Sequence, residues 1–240
     1  MMPMLVVMPT YNERANLETV VAGILAHDFA RLLVVDDASP DGTGALADTL
    51  ARKYPGRLEV MHRTGPRGLG RSYIDGLRHA LQTDAQAICQ IDADLSHDPA
   101  YLPDMAAALA QHDLVIGSRY LHGVSVVNWP LHRIILSAFA NQYIRAITGL
   151  APRDCTSAYR VWRRDALAKL PLSTAHTSGY AFLPEMLFEA ARLGCRIGEV
   201  PIIFVERQKG YSKVSQSVLL ESLWTPWQLI LRRGRLRSRA

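Results

Sequence analysis

The sequence predicts an α/β fold with a mainly parallel sheet covered by helices on both faces. Three observations carry this. Apolar runs of four or five residues recur through the first half of the chain, each bounded by turn or polar residues. Helix-like stretches separate them, giving a βαβα order. The residues just after the runs are unusually polar, as expected where parallel strands present their carboxyl ends to a ligand. Together these describe a Rossmann-like architecture.

The strand candidates are Met4–Met8, Leu32–Val35, Leu58–Met61, Ala87–Ile91 and Leu114–Gly117. Between them, helices are expected at about 16–27, 43–54, 69–82 and 99–110, the last opened by Asp98 as N-cap and Pro99 at the first helical position. After Tyr120 the pattern loosens. Helices are expected around 130–147 and 180–193, a strand near 197–205, and a terminal helix near 214–232. No internal repeat, low-complexity segment or linker is visible, so one catalytic-type domain over 1–213 with a C-terminal helical segment and tail over 214–240 is the expected organisation.

At 240 residues the chain can bury a sizeable core without disulfide or metal staples. It contains no uninterrupted apolar run of about 18 residues, which argues against an integral membrane protein and for a soluble or peripheral one. Its first ten residues lack a basic leader and a small-residue cleavage site, so a cytoplasmic location is expected. Cys89, Cys155 and Cys195 are odd in number and show no C-x-x-C spacing, which fits reduced thiols rather than a disulfide framework or a thiolate zinc site. The net charge of +5 is local: residues 222–240 hold Arg232, Arg233, Arg235, Arg237 and Arg239 and no acid, and the rest of the chain balances. A neutral body with a basic end suggests an acidic surface met at one end. Nucleic acid is not the expected partner, because the tail lacks interleaved stacking aromatics.

Four polar segments follow the strand candidates: Pro9-Thr10-Tyr11-Asn12-Glu13, Asp36 to Gly42, Asp92 to His97, and Ser118-Arg119-Tyr120. Any one of them could be only a turn or a helix cap, but four in register point to a site. Asp92 and Asp94, two apart at a strand end, are expected to project to the same side. Paired carboxylates repel, and a divalent cation relieves this; all-oxygen ligation with open positions suits Mg²⁺ or Mn²⁺ shared with substrate phosphates. The eight histidines show no metal spacing, no G-x-S-x-G is present, and Gly65–Gly70 lacks the Lys-Ser/Thr ending of a P-loop. That stretch is expected to form a tight loop before the third helix, with Arg67 and Arg71 on the donor side.

The runs PTYNE (9–13), VVDDASPDGT (34–43), DADLSHDP (92–99), GSRY (117–120), NWPLHR (128–133), DCTSAYR (154–160) and RQKGYSK (207–213) together resemble the dolichyl- or polyprenyl-phosphate mannosyltransferases. These are inverting nucleotide-sugar enzymes of GT-A fold, and the resemblance is to their short class. It spans essentially the whole chain. It implies transfer of mannose from GDP-mannose to a polyprenyl phosphate, with Pro9, Tyr11, Glu13, Val35 and Asp37 holding the nucleoside. It further implies that Asp92, Ala93 and Asp94 meet the diphosphate, and that a Mg²⁺ or Mn²⁺ ion rests on Asp92 and Asp94. Two positions depart from the pattern. Ser96 stands where some members have a metal-ligating Gln, so it is a weak third ligand, and Ala158 stands where many have Gly.

A sugar leaving a nucleoside diphosphate needs cations at the leaving group. Arg207 and Lys213, on a glycine- and serine-containing loop, can supply them beside the metal. A phosphate monoester acceptor is already anionic near neutral pH, so it needs anchoring more than a strong base. Arg119 and Arg133 are the candidate catalytic anchors, and by resemblance both contact the lipid phosphate; a structural salt bridge is the alternative for either. Asp154 is a base, an orienting group or a turn cap. Another nucleotide sugar, such as UDP-glucose, and another lipid acceptor remain alternatives.

The apolar residues Leu219, Leu220, Leu223, Trp224, Trp227, Ile230 and Leu231 fall on one helical arc, with Pro226 expected to divide the helix and Thr225 to cap its second piece. Tryptophans beside five arginines suit an anionic membrane surface. Residues 214–240 are therefore expected to dock the enzyme peripherally on the cytosolic membrane face. A membrane-protein partner subunit that presents lipid is left open.

Overall fold

Apolar runs too long to alternate become central strands buried on both faces. The computed structural model describes residues 2–172, 182–206 and 224–231. β1 (Met4–Thr10) is buried at every position, and β2 (Ala30–Asp36), β3 (Leu58–His62) and β4 (Ala87–Gln90) extend it in parallel, in the order β3-β2-β1-β4. Helices α1 (Arg14–Leu25), α2 (Thr43–Lys53) and α3 (Leu69–Ala80) connect them, each within two residues of the expected bounds at its N-terminal end. Two hydrophobic clusters, one on each face, divide the strands by alternation: Leu5, Val7, Leu33 and Val35 face α3, and Met4, Val6, Met8, Leu32 and Val34 face α1 and α2. Burial of such side chains stabilises by about 1.5–3 kcal/mol each. At Gly76 a Cβ would come within 2.4 Å of Val7 and 2.9 Å of Val35, so the glycine is what lets α3 lie close to the sheet.

The second half departs from the expected pattern in a way that builds the site. β5 (Leu114–Ser118) is present, but it does not pair with β4. β7 (Arg160–Arg163) is inserted between them, antiparallel to both, and β8 (Ile197–Pro201) pairs parallel to β5. The sheet therefore remains mainly parallel with one reversed strand. β7 gave no apolar signal because it begins and ends with arginine. Arg160 is fully buried and donates to the carbonyls of Ser157, Cys155 and Leu183 at 2.9, 2.9 and 2.6 Å. Because β7 runs backwards, its amino end, and with it the 154–159 loop, lies beside the carboxyl end of β5. Gly117 N–H donates to Tyr159 O at 2.8 Å.

Three smaller corrections follow. The stretch 99–110 is a 3₁₀ turn (Pro99–Tyr101) leading into α4 (Leu102–Ala108), with the Asp98 side chain accepting from Ala100 N–H as an N-cap. The expected strand 197–205 breaks after Pro201. Its last part, β9 (Phe204–Val205), pairs instead with β6 (Val126–Val127) in a separate two-stranded sheet. Of the expected terminal helix, residues 224–231 are described and are helical, and Thr225 is buried within this stretch rather than capping a second piece. The boundary at 213/214, and the rest of 214–240, lie outside the described residues. α5 (Leu131–Thr148), α6 (Arg164–Leu167) and α7 (Phe182–Arg192) complete the fold. Cys89 and Cys155 are buried free thiols, pushed up by burial, Cys155 to about 12; Cys195 is a free thiol only partly buried.

Candidate active site

Four loops meet at the carboxyl edge of the sheet. The first two are stitched together by backbone donors. Asn12 N–H donates to Ser39 Oγ at 3.1 Å, Glu13 N–H to Thr43 Oγ1 at 3.0 Å, and Arg14 N–H to Asp41 Oδ2 at 3.2 Å. Asp37, after β2, accepts from Arg63 with one oxygen and from Gly68 N–H at 2.8 Å with the other, fixing the Gly65–Gly70 loop. From that loop Arg67 reaches Tyr11: its Nη1 donates to the hydroxyl at 2.9 Å and its guanidinium lies 4.9 Å from the ring centroid. The loop thus packs against the first two polar segments, at Tyr11 and Asp37.

The acidic pair is held differently from the period-2 expectation. β4 ends at Gln90, so Asp92 and Asp94 sit in a bend, with Leu95 at φ +64°. Strand geometry therefore does not direct them; named side chains do. Tyr73, fully buried on α3, donates to Asp92 Oδ1 at 2.8 Å. His97 Nδ1 accepts Asp92 N–H at 3.4 Å and lies 3.8 Å from Asp92 Oδ2. Ser96 donates its hydroxyl to Asp94 Oδ1 and its N–H to the same oxygen at 3.1 Å. Both carboxylates lie close enough to Tyr73 and His97 to act on them electrostatically. Burial and then Asp92 raise the Tyr73 hydroxyl well above its ordinary value, Asp94 adding to the rise; burial lowers the His97 imidazole, and both aspartates oppose that. Tyr73 is therefore a proton donor at any ordinary pH.

A third cluster stands beside it. Arg119, immediately after β5, makes a bidentate pair with Asp154, Nε and Nη2 each at 2.7 Å, and Nη2 also donates to Thr156 Oγ1 at 2.8 Å. Tyr120, Trp129 and Phe204 put ring centroids 5.4–5.7 Å from its guanidinium. Arg133 packs over Trp129 at 4.1 Å and is ion-paired with Glu206. Among the described residues, four non-glycine residues have left-handed backbone: Asn12, Ala38, Leu95 and Asn128. Asn12, Ala38 and Leu95 lie in the first three loops and Asn128 beside Trp129, and such strain, about 1–3 kcal/mol a residue, is held where the surroundings over-determine it.

Residues 5–170 match the family described as Glycosyl transferase family 2. The chain belongs to that family.

This glycosyltransferase is 44% identical over 236 residues, 97% of its length and 88% of the relative's, to a "Polyprenol monophosphomannose synthase" of Mycolicibacterium smegmatis. It is 43% identical over 241 residues, 99% of each chain, to an "Undecaprenyl-phosphate mannosyltransferase" of Micrococcus luteus. Among solved structures, the glucosyl-3-phosphoglycerate synthase of Mycobacterium tuberculosis, crystallised with Mn²⁺, uridine diphosphate and phosphoglyceric acid, superposes with a TM-score of 0.68 at 19% identity, covering 97% of this chain and 78% of that one. That likeness shows the fold, which is GT-A.

Within the glycosyltransferase the sequence-derived site residues are not equally placed for ligand contact. Tyr11, Glu13, Asp92 and Arg133 retain exposure, whereas Val35 is fully buried with its side chain in the core, so it can meet a nucleoside only through its backbone. Pro9, the register partner of Val35, and Ala93 are also buried. Asp37 and Arg119 are spent on buried ion pairs, and Ser96 on Asp94. Arg207 and Lys213 lie outside the described residues. Sequence reasoning missed Tyr73 and His97. His97 stands in the DADLSHDP run, but Tyr73 carried no signal in a helix that read as ordinary.

Proposed function

We propose that this glycosyltransferase moves mannose from GDP-mannose to a polyprenyl phosphate, with inversion, giving polyprenyl-phosphate mannose. The observation that carries it is near-full-length identity to two proteins whose names specify mannose and a polyprenyl phosphate. The site's chemistry agrees: an acidic bend beside an aromatic-lined pair of arginines.

Asp92 and Asp94, with the Ser96 hydroxyl beside them, form an all-oxygen donor set that fits Mg²⁺ or Mn²⁺. Among the described residues no three His, Cys, Asp or Glu side chains gather into a protein cage. That suits a hard cation whose remaining ligands are substrate phosphates and water. When bound, the cation offsets negative charge on the departing diphosphate. Tyr73 and His97 orient Asp92, and Ser96 orients Asp94. Tyr11, Glu13, Asp37, Arg67 and the backbone at Pro9, Val35 and Ala93 shape the nucleoside side; Arg207 and Lys213 complete the donor's phosphate contacts. Arg133 grips the acceptor phosphate, steadied by Glu206 and Trp129, with Arg119 behind it. Asp154 then acts as the orienting partner of Arg119 and not as a base. An acceptor phosphate oxygen forms the bond to the anomeric carbon as the bond to the diphosphate breaks, and the electron pair leaves with GDP.

The surface supports peripheral docking on the cytosolic membrane face. No helix among the described residues is long and apolar enough to cross a membrane. α5 exposes Leu131, Ile135, Leu136 and Phe139, and residues 224–231 expose Trp224, Trp227 and Leu231. Trp227 Nε1 donates to Tyr143 Oη at 3.0 Å, joining the two helices. An apolar face carrying tryptophans fits a bilayer interface, where a polyprenyl acceptor resides.

The test is transfer to a short-chain polyprenyl phosphate from labelled GDP-mannose or UDP-glucose, with and without EDTA. Transfer from GDP-mannose alone, abolished by EDTA and by Asp92→Ala or Asp94→Ala with the fold intact, is expected. Preference for UDP-glucose overturns the donor, and full activity in EDTA overturns the metal.

A further inference from the structure

On the flank of α5 opposite Tyr143, an open cavity of about 340 Å³ is lined by Tyr120, Ala138, Asn141, Gln142, Arg145 and Arg153. It contains two guanidinium groups and no carboxylate. Neither Arg145 nor Arg153 forms an ion pair among the described residues, in contrast to Arg119 and Arg133. Of the neutral polar side chains, Tyr120 and Asn141 are already committed. Tyr120 donates to Ser137 Oγ at 2.7 Å, Asn141 Nδ2 to Ser137 O at 3.0 Å and Thr156 Oγ1 at 3.3 Å, and Asn141 Oδ1 accepts Cys155 N–H at 2.7 Å. Arg153 places one donor, Nη1, on Leu121 O at 2.7 Å. Arg145 Nε is buried with no hydrogen-bond partner among the described residues. Arg145 is half-buried and Arg153 exposed, so an anion entering the open cavity meets the accessible ends of two guanidinium groups with no carboxylate competing for them, and several oxygens suit their forked donors.

The source of that anion follows from position. The helix that supplies Ala138, Asn141, Gln142 and Arg145 also exposes Leu131, Ile135, Leu136 and Phe139 along an adjoining stripe. Where such a stripe enters a bilayer interface, the anions beside it are phospholipid headgroups.

We propose that the Arg145–Arg153 cavity is a binding site for the phosphate headgroup of an anionic membrane phospholipid, adjoining the acceptor site at Arg119 and Arg133 across Tyr120. The proposal rests on the reading that α5 docks on the membrane, and the experiment separates the two. The full-length enzyme is sedimented with vesicles of phosphatidylcholine alone or mixed with phosphatidylglycerol. Ile135→Ser/Phe139→Ser should reduce sedimentation with both. Arg145→Gln/Arg153→Gln should leave neutral-vesicle binding intact and cut the preference for anionic vesicles by about a hundredfold, two charge-assisted hydrogen bonds to phosphate being lost at about 1.5 kcal/mol each. Arg145→Lys/Arg153→Lys keeps the charge but not the planar fork. It should therefore lose most of that preference, and retention of the full preference overturns a built site in favour of diffuse charge. Saturable binding of glycerol 3-phosphate, followed by phosphorus NMR, should be lost in both arginine variants. If the enzyme binds neither vesicle yet binds glycerol 3-phosphate through these arginines, the docking reading fails and the ligand is a free phosphate, which overturns the lipid assignment. Transfer to a short, water-soluble acceptor should be unchanged in all arginine variants.

Discussion

Replacing Asp154 by Asn tests whether the pair behind the acceptor site is as costly to break as its burial implies. Asp154 is fully buried, and Arg119 is only 7% exposed. Besides the two Arg119 side-chain bonds, the carboxylate accepts the N–H groups of Arg119, Thr156 and Ser157 at 3.1, 3.2 and 3.0 Å. An amide must turn an NH₂ toward some of these donors, and it leaves a guanidinium buried among three aromatic rings without a counter-charge. Breaking such a pair from one side costs about 3–5 kcal/mol. For a chain of this size each kcal/mol lowers Tm by about 2–4 °C, so a fall of roughly 6–20 °C is expected in calorimetry. The pH dependence has a definite sign. Burial pushes the Asp154 carboxyl up, but the Arg119 charge and the converging hydrogen bonds more than reverse this and hold it below its ordinary value. A depressed folded-state pKa means the stabilisation is complete above the unfolded value near 3.9 and is lost as pH falls through the lower folded value. The difference in urea midpoint between wild type and Asp154→Asn should therefore be largest at neutral pH and shrink below about pH 4. The double variant Arg119→Met/Asp154→Leu should recover part of the loss, since replacing both charges is often close to neutral. A Tm within 2 °C of wild type, about 1 kcal/mol or less for a chain of this size, would refute the reasoning.

Tyr73→Phe removes one hydrogen bond to a charged group, about 1.5–3 kcal/mol, so the Mn²⁺ concentration for half-maximal GDP binding should rise at least tenfold; an unchanged requirement removes Tyr73 from the site. Arg133→Lys cannot reproduce both the Glu206 pair and the packing over Trp129. The acceptor KM should rise about tenfold with GDP affinity unchanged, and equal loss of both in calorimetry defeats the acceptor assignment. Deleting Arg232–Ala240 should weaken sedimentation with anionic liposomes and flatten its salt dependence, while sparing transfer to a soluble acceptor. Undiminished liposome binding after that deletion excludes the tail from docking.

What could be read from the sequence and what could not divide along a physical line. β1, β2 and β4 were legible because a strand buried on both faces is apolar along most of its length, as β1 is from Met4 to Met8, and the edge strand β3 because it keeps Leu58, Val60 and Met61. Their loops were legible because polar residues collect where those strands end. β7 was not, because its flanking arginine is satisfied by carbonyls and not by solvent, a possibility that no local pattern reports. That one omission hid most of the rest. An antiparallel strand between β4 and β5 presents its entrance, not its exit, at the ligand edge of the sheet. Only that reversal brings Asp154 to Arg119 across 35 residues of sequence. Tyr73 reaches Asp92 for a similar reason: α3 is drawn close to the sheet at Gly76, and a hydroxyl one turn before the glycine then overhangs the end of β4. The acidic pair and the arginines announce a site by residue type, but their directions are set by partners that the topology supplies. An alanine and a leucine at left-handed φ in the same loops, Ala38 and Leu95, show the same thing from the backbone. Neither residue favours that conformation alone, so the hydrogen bonds of Asp36, Asp94 and their neighbours must impose it.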